Sequence, residues 1–294
     1  KIGPLKSNLA NSIECKYSRF LYAIPRLLFV IKKSNFNILF STFPHITIIL
    51  IITKIFRLHS CKIVARQPNM LSSSLSTSLK LRFIRFLYIR FINFADIIIV
   101  TSEAMRKEAK EYNLNKNKLF LLTNPINILK VRNKVVPKRT KNYGLKLVFV
   151  GRLSYQKGLD RIIKLFSKLK NIELLIIGEG KQKKILQNII KKNKLQNKIT
   201  FCGFMKNPYN MVAGADYFLL PSRWEGMPNC IIESLALGTP VIAFKDIVSL
   251  NDFSTNIKNK TITLTDNNIT LVKLLKSLKP RKDYLKPKLL FFKN

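Results

Sequence analysis

The chain of 294 residues is 47% hydrophobic, which suffices for two domains that each bury a core of their own. Its four cysteines include no Cys-x-x-Cys pair and its two histidines, His45 and His59, stand apart, which argues against a zinc site or a disulfide scaffold. The net charge is +38, but the cations are spread over the whole chain, which excludes a discrete basic arm or tail.

The first half alternates strand and helix patterns, as in a parallel sheet flanked by helices. The predicted strands are Asn37–Ser41, Lys62–Ala65, Asp96–Val100 and Lys118–Leu122, and the predicted helices are Arg19–Lys33, Thr47–Arg57, Ser78–Asn93 and Ser102–Tyr112. Residues 34–53 contain no charge, but Pro44 interrupts them, so a strand, a turn and a short helix explain them better than a membrane span. The basic segment 130–144 is predicted to be a linker between domains.

The second half repeats this alternation. The predicted strands are Leu147–Val150, Glu173–Ile177, Ile199–Phe201, Tyr217–Leu220 and Pro240–Phe244, and the predicted helices are Leu159–Lys170, Lys181–Lys192, Pro208–Ala213 and Pro228–Leu237. Continuous apolar runs indicate strands that are buried on both faces. We therefore predict an α/β fold with two doubly wound, Rossmann-like domains, residues 1–140 and 141–294, that face a ligand-binding cleft.

A loop with two glycines and two cations follows the first strand of the second half. It reads GRLSYQKG from Gly151 to Gly158 and precedes a helix. Arg152 can grip phosphate oxygens with two donors, Lys157 offers a compact charge, and the helix offers free N–H groups. An ordinary loop with solvated cations is the alternative to this predicted phosphate site.

A more specific pattern runs from Ser222 to Glu233. Glu225 lies in a loop, Gly226 removes a side chain where a ligand could approach, and Pro228 suits the first turn of a helix. The unpaired amides of that turn can bind an anion. Glu225 and Glu233 can accept hydrogen bonds from hydroxyls on either side of a phosphate, as in a sugar and a ribose. Each glutamate alone could be a surface acid, but the joint pattern favours a binding site.

The chain resembles the family-four (group 1) glycosyltransferases of the GT-B fold in four segments, which read in order GRLSYQKGLDRII, LLIIGEG, FCGF and LLPSRWEGMPNCIIESLALGTPVIA. Glu225 and Glu233 match the family's Glu-x7-Glu motif. By this resemblance Arg152 and Lys157 would hold the donor diphosphate, Glu225 would contact the transferred sugar, and Glu233 would bond the ribose. The further donor-binding residues that it implies are Gly151, Phe204, Met205, Gly226, Met227, Pro228 and Asn229.

The resemblance also implies an activity. The expected reaction is a retaining transfer of a sugar from a UDP-hexose or UDP-N-acetylhexosamine to a glycan or lipid-linked acceptor in surface polysaccharide biosynthesis. No cofactor and no bound metal are expected, because Arg152, Lys157 and the helix amides would stabilise the leaving diphosphate. The expected location is cytoplasmic, with helix Ser78–Asn93 resting on the anionic inner face of the plasma membrane. A core helix with snorkelling cations is the alternative for that segment.

The chain departs from the family pattern in three places. No counterpart of the family's first strand and Gly-rich turn precedes Ile24–Lys33, so we expect the first domain to be incomplete. Arg66, Gln67 and Asn69 stand where a His or an acid is common, so no general base is assigned. Residues 245–250 replace a Gly-Gly turn. An inactive chain that only binds a nucleotide sugar is therefore the main alternative.

Two other classes of protein have less support. A nucleic-acid-binding protein is suggested by charge alone, without a helix-turn-helix, a zinc finger or a basic-aromatic strand, so we expect no nucleic-acid partner. A nicotinamide-dependent oxidoreductase would need a third glycine where Lys183 follows Gly178-Glu179-Gly180.

Overall fold

The computed structural model describes residues 24–34, 36–75, 78–133, 135–136, 144–250 and 261–281. These residues form two wholly parallel sheets, of four strands in the first half and six in the second, with helices packed on them. Each sheet has its own apolar core. The α/β class and the two-sheet organisation therefore agree with the alternation seen in the sequence.

The first sheet pairs its strands in chain order. These strands are β1 (Ile38–Ser41), β2 (Lys62–Arg66), β3 (Ile97–Val100) and β4 (Leu119–Leu121). The helices of this half are α1 (Ile24–Lys33), α2 (Pro44–Ile55), α3 (Leu71–Ser74), α4 (Leu79–Phe91) and α5 (Glu103–Glu111), with 3₁₀ turns at Ile92–Phe94 and Lys116–Lys118. α2 begins at Pro44, whose fixed φ suits a first helical turn, so residues 34–53 contain the predicted strand and short helix.

The second sheet has the order β10-β9-β8-β5-β6-β7. Its strands are β5 (Leu145–Val150), β6 (Ile172–Ile177), β7 (Ile199–Gly203), β8 (Tyr217–Leu220), β9 (Val241–Phe244) and β10 (Ile262–Thr265). The helices are α6 (Ile128–Arg132), α7 (Leu159–Ile162), α8 (Lys183–Lys192), α9 (Tyr209–Ala213), α10 (Asn229–Ala236) and α11 (Asn268–Ser277), with 3₁₀ turns at Tyr155–Lys157, Ile163–Lys168 and Val248–Leu250. This strand order is that of a dinucleotide-binding Rossmann domain.

Several elements differ from the prediction. The predicted helix Leu159–Lys170 is one α-helical turn followed by 3₁₀ turns. The last residues of α6 extend into the predicted linker, and Val131 there packs on the second core. β10 and α11 are not among the predicted elements, and they lie in a stretch rich in Asn, Lys and Thr. An Asn267–Thr270 capping box starts α11, and apolar residues such as Leu271 and Leu275 bury one face of it. The predicted helix residues 19–23 and the predicted domain boundary at 140/141 lie outside the described residues.

Candidate functional site

The two sequence patterns meet where the strand order of the second sheet reverses. The chain runs outward from β5 to β7 and then returns to the other side of β5 as β8. Doubly wound domains bind ligands at such a switch point, outside the carboxyl ends of the strands. The Gly151–Gly158 loop follows β5 and the loop that contains Glu225 follows β8, so both predicted patterns lie at this point.

The loop after β5 lies against the loop after β6. The Gly151 N–H donates to the Ile177 carbonyl at 3.0 Å, and the Leu153 N–H donates to the Glu179 carbonyl at 2.9 Å. Gly178 has a φ of 144°, and a Cβ on it would lie 1.9 Å from the Gly151 carbonyl oxygen. Only a glycine at 178 therefore lets the two loops approach this closely.

A cavity of about 320 Å³ opens beside these loops. Its lining consists of Val150, Gly151, Arg152, Ile177, Gly178, Glu179, Phe204 and Met205. Four predicted donor-site residues, Gly151, Arg152, Phe204 and Met205, therefore lie together. Phe204 is 76% exposed, so its ring is available for stacking with a flat group such as a base.

Lys157 and Glu225 form a buried ion pair that joins the two predicted patterns. Lys157 Nζ lies 2.6 Å from Glu225 Oε1, and the two side chains are 16% and 7% exposed. The same carboxylate accepts a hydrogen bond from Ser222 Oγ at 2.7 Å. Gln156 Nε2 donates to the Trp224 carbonyl at 3.0 Å and so binds the two loops together beside the pair.

The protonation state of Lys157 follows from its neighbours. Burial acts to lower its pKa, but electrostatic interaction with Cys230 and with the Glu225 carboxylate raises the pKa overall. Desolvation raises the pKa of Cys230 to about 12, so this thiol is neutral at neutral pH and Glu225 supplies the charge. Lys157 also lies beside Gly151, which lines the cavity: a Cβ on Gly151 would be 3.5 Å from Lys157 Cε.

An Arg223–Asp160 pair, for which the sequence predicts no role, joins the loop after β8 to α7. Arg223 Nη1 and Nη2 donate to the two Asp160 carboxylate oxygens at 2.9 and 2.6 Å. The guanidinium also stacks 3.8 Å from the centre of the Tyr155 ring. The hydrogen bond from Arg223 lowers the pKa of Asp160. No local pattern marks this pair, because its members are separated by 63 residues and meet only through the switch point.

The second glutamate of the motif lies on α10. Glu233 is half-buried, and desolvation raises its pKa above the ordinary value of 4.5. Pro228 precedes the first turn of α10, and no side chain caps that turn, so its N–H groups can donate to an anion. Glu233 follows Asn229 by one helical turn, and its contact with the ligand of that turn remains a prediction.

The structure gives a different reason for the glycine at 226. A Cβ on Gly226 would lie 2.2 Å from the carbonyl oxygen of Pro68, which belongs to the loop after β2. The close neighbour of Gly226 is therefore a backbone from the first half of the chain, whereas a ligand was predicted in this space. Its assignment as a donor-binding residue remains a prediction.

Two family models match the chain. The model of glycosyl transferases group 1 matches residues 130–285, and the model of glycosyltransferase family 4 matches residues 7–128. The chain belongs to the group 1 glycosyl transferases. The predicted family is thus confirmed, and the Glu225–Glu233 motif lies within the first match.

Curated relatives of this group 1 glycosyl transferase are named as glycosyltransferases. An uncharacterized glycosyltransferase of Methanocaldococcus jannaschii is 32% identical over 207 residues, which cover 66% of this chain and 51% of the relative. The Campylobacter jejuni N-acetylgalactosamine-N,N'-diacetylbacillosaminyl-diphospho-undecaprenol 4-alpha-N-acetylgalactosaminyltransferase is 31% identical over 153 residues, which cover 50% of this chain and 41% of that protein. The chain thus spans about half the length of these relatives or less.

Solved structures share the fold of this group 1 glycosyl transferase. Sucrose-phosphate synthase from Thermosynechococcus elongatus superposes with a TM-score of 0.73 at 16% identity, covering 88% of this chain and 69% of that one. HepE of Anabaena in complex with UDP-glucose superposes with a TM-score of 0.67 at 18% identity, covering 86% and 71%. These superpositions confirm the predicted GT-B fold.

One face of α4 in this group 1 glycosyl transferase is apolar and exposed. Leu79, Phe83 and Phe86 are 82%, 61% and 64% exposed and recur at helical spacing, whereas Tyr88 on the opposite face is buried. The opposite face packs on the first core through Tyr88, Ile84 and Leu87, as the alternative of a core helix with snorkelling cations predicts, so contact of the exposed face with a membrane remains a prediction. Within the described ranges, every helix is too short or too polar to cross a bilayer.

Proposed function

We propose that the chain binds a UDP-sugar at the switch point of its second domain and transfers the sugar, with retention, to a glycan or lipid-linked acceptor. The observation that carries this proposal is the buried Lys157–Glu225 pair beside a cavity lined by Gly151 and Arg152, in a member of the group 1 glycosyl transferases. A cation, a carboxylate and free amides at one point suit a ligand that combines an anion with hydroxyl groups.

The names of similar proteins support this class of substrate. The solved structures of Anabaena HepE contain UDP, UDP with glucose, or UDP-glucose. The Campylobacter relative is named for an acceptor linked to diphospho-undecaprenol, and an Escherichia coli relative is named for O-antigen biosynthesis. We therefore place this chain in surface polysaccharide biosynthesis, with a UDP-hexose or UDP-N-acetylhexosamine as the donor.

The proposed chemistry is electrostatic. Negative charge develops on the diphosphate as the bond to the sugar breaks, and Lys157, Arg152 and the first-turn amides of α10 would stabilise it. Lys157 is held cationic and oriented by Glu225 before the donor arrives, so little reorganisation is needed. Glu225 would contact the sugar and Glu233 the ribose hydroxyls. Because these protein groups neutralise the diphosphate, we propose that no cofactor and no bound metal are required.

Calorimetric titration with UDP and a panel of UDP-sugars tests this proposal. We expect a UDP-sugar to bind with the same affinity in EDTA as in magnesium, because Lys157 and Arg152 provide the positive charge. Glu225→Ala should lose discrimination among UDP-sugars, since the sugar is its proposed contact, and should weaken UDP binding to a smaller extent, since Lys157 then lacks the partner that orients it. Absence of binding to every nucleotide sugar would refute the proposed substrate class, and a strict requirement for a divalent cation would refute the metal-free chemistry.

We also propose that α4 rests on the inner face of the plasma membrane. Its exposed Leu79, Phe83 and Phe86 can enter the headgroup region, while Lys80 and Arg90, both exposed on the same helix, can attract anionic lipids. A lipid-linked acceptor would then lie at the surface on which the first domain rests.

A further inference from the structure

Two side chains of the first half, Asn69 and Asn124, make polar contacts with the segment that carries the predicted donor site, and a third, Arg66, contacts Asn124. Asn69, after β2, accepts a hydrogen bond through Oδ1 from the Gly226 N–H at 3.0 Å. Asn124, after β4, donates from Nδ2 to the Met227 carbonyl at 2.9 Å and to Asn229 Oδ1 at 2.5 Å. We call Arg66, Asn69 and Asn124 the cleft bridge, and residues 225–229 the donor segment.

Arg66 determines which end of the Asn124 amide faces the donor segment. Its Nη2 donates to Asn124 Oδ1 at 2.6 Å. A guanidinium has only donors, so it selects the carbonyl end of the amide and turns the NH₂ end toward Met227 and Asn229. Arg66 therefore acts through Asn124 and is coupled to it.

The loop that carries Asn69 is itself firmly placed. Gln67 is buried, its backbone N–H donates to the Ile99 carbonyl at 2.8 Å, and its Nε2 donates to the Asn69 carbonyl at 3.0 Å. The neighbouring Pro68 carbonyl lies where any Cβ on residue 226 would stand. The first sheet thus presents a fixed surface to the donor segment.

These contacts suit the chemistry of an anion site. The Met227 carbonyl and Asn229 Oδ1 are acceptors beside the first turn of α10, and unpaired acceptors there would repel a diphosphate. Asn124 donates to both of them, and no side chain caps the N–H groups of that turn. We propose that Asn124, oriented by Arg66, and Asn69 are positioning residues that hold the donor segment in its binding geometry. This inference rests on the proposed function.

The test is calorimetric titration of the whole chain with UDP. Asn124→Leu keeps the volume of the side chain but removes its NH₂ group. We expect this variant to bind UDP about two- to tenfold more weakly, as for one or two lost neutral hydrogen bonds. Asn124→Gln keeps an NH₂ group and should recover part of the affinity. Asn69→Leu should also weaken binding. Asn188→Leu, at an exposed position on α8, is the matched control and should bind like the parent.

Coupling within the bridge separates positioning from general damage. As a single change, Arg66→Ala should weaken UDP binding. In the double variant it should add little to the loss caused by Asn124→Leu, because Arg66 acts through Asn124. Circular dichroism and thermal melting must show all variants folded. The positioning role would be overturned if Asn124→Leu and Asn69→Leu bound UDP like the parent, or if the effects of Arg66→Ala and Asn124→Leu were additive. Either outcome would leave the proposed function untouched. A parent chain that binds neither UDP nor any nucleotide sugar would instead reject the proposed function, and the inference with it.

Discussion

At the scale of single residues, Lys157 and Arg152 are both predicted to hold the diphosphate, yet their surroundings differ. Lys157 is buried against Glu225, whereas Arg152 is exposed. Removing one partner of a buried pair leaves an uncompensated charge and costs about 3–5 kcal/mol of stability, while an exposed cation costs little. The two residues should therefore separate in experiments that measure both stability and affinity.

We predict that Lys157→Ala lowers both the melting temperature and the affinity for UDP, and that Arg152→Ala lowers the affinity alone. Each lost charge-assisted bond to phosphate is worth roughly 1.5–3 kcal/mol, about tenfold or more in affinity. The contribution of Lys157 to stability is fully present below pH 10.5, its ordinary pKa, and is lost as the pH rises through its raised folded value. Lys184→Ala, on the exposed side of α8, serves as the control. Unchanged UDP affinity in both variants would contradict the assignment.

Glu233 predicts a pH dependence of donor binding. Desolvation raises its pKa above 4.5 in the free protein, so its charged form is poorly stabilised there. Ribose hydroxyls that donate to the carboxylate would stabilise that form, so the donor should bind the ionised state better. Affinity for UDP should therefore fall as the pH is lowered through the raised pKa of Glu233. Titrations at several pH values compare the parent with Glu233→Gln, in which this component should be absent.

The comparison with Glu233→Gln isolates the protein group. UDP has a phosphate that also titrates, but its ionisation affects both proteins equally and cancels in the ratio of their affinities. A ratio that stays constant with pH would show that Glu233 does not contact the bound nucleotide.

At the scale of elements, α4 should bind membranes peripherally. Its exposed apolar face is short, and its cations act through a Debye length of about 10 Å at 0.1 M salt and about 3 Å at 1 M. We predict that the chain floats with anionic liposomes at low salt and that high salt releases much of it. Leu79→Ser, Phe83→Ser and Phe86→Ser together should abolish flotation at low salt.

The controls for the α4 variant are chosen by how exposed each apolar side chain is. Phe91 packs against the first core and is left unchanged, because its replacement would disturb the fold. Ile185→Ser and Ile269→Ser remove exposed apolar side chains of the second domain and should float like the parent. Absence of liposome binding at any salt concentration would end the membrane proposal, and flotation that ignores salt would indicate insertion instead of electrostatic attraction.

At the scale of the whole molecule, the two sides of the cleft differ in how fully they match the family pattern. The donor side matches from Gly151 to Glu233, whereas on the acceptor side Arg66, Gln67 and Asn69 stand where the family often has a His or an acid. Transfer requires both substrates in attack geometry, and orientation can supply roughly 7–11 kcal/mol of barrier lowering. We predict that residues 1–294 alone bind a UDP-sugar but transfer it poorly. Titration paired with a product assay on a lipid-linked acceptor tests this, and efficient transfer would contradict it.

The sequence alone was sufficient for the fold class, for most strands of both sheets and for the Lys157 and Glu225 loops. Buried parallel strands are continuous apolar runs, and switch-point loops follow them directly, so local pattern carries this information. β10 and α11 were not predicted from the sequence. A four-residue strand and a half-polar helix give a weak pattern within a stretch rich in Asn, Lys and Thr.

Only the tertiary structure decided which residues complete the site. Asp160 meets Arg223, and Asn69 and Asn124 meet the donor segment, across separations of 63 to 157 residues. Hydrogen bonds of this kind depend on where two sheets place their loop ends, and no periodicity along the chain encodes that distance. Gly226 is a second example. The sequence marks a glycine in this loop, but the reason for it is a contact between the two domains, since any Cβ at residue 226 would lie 2.2 Å from the Pro68 carbonyl oxygen.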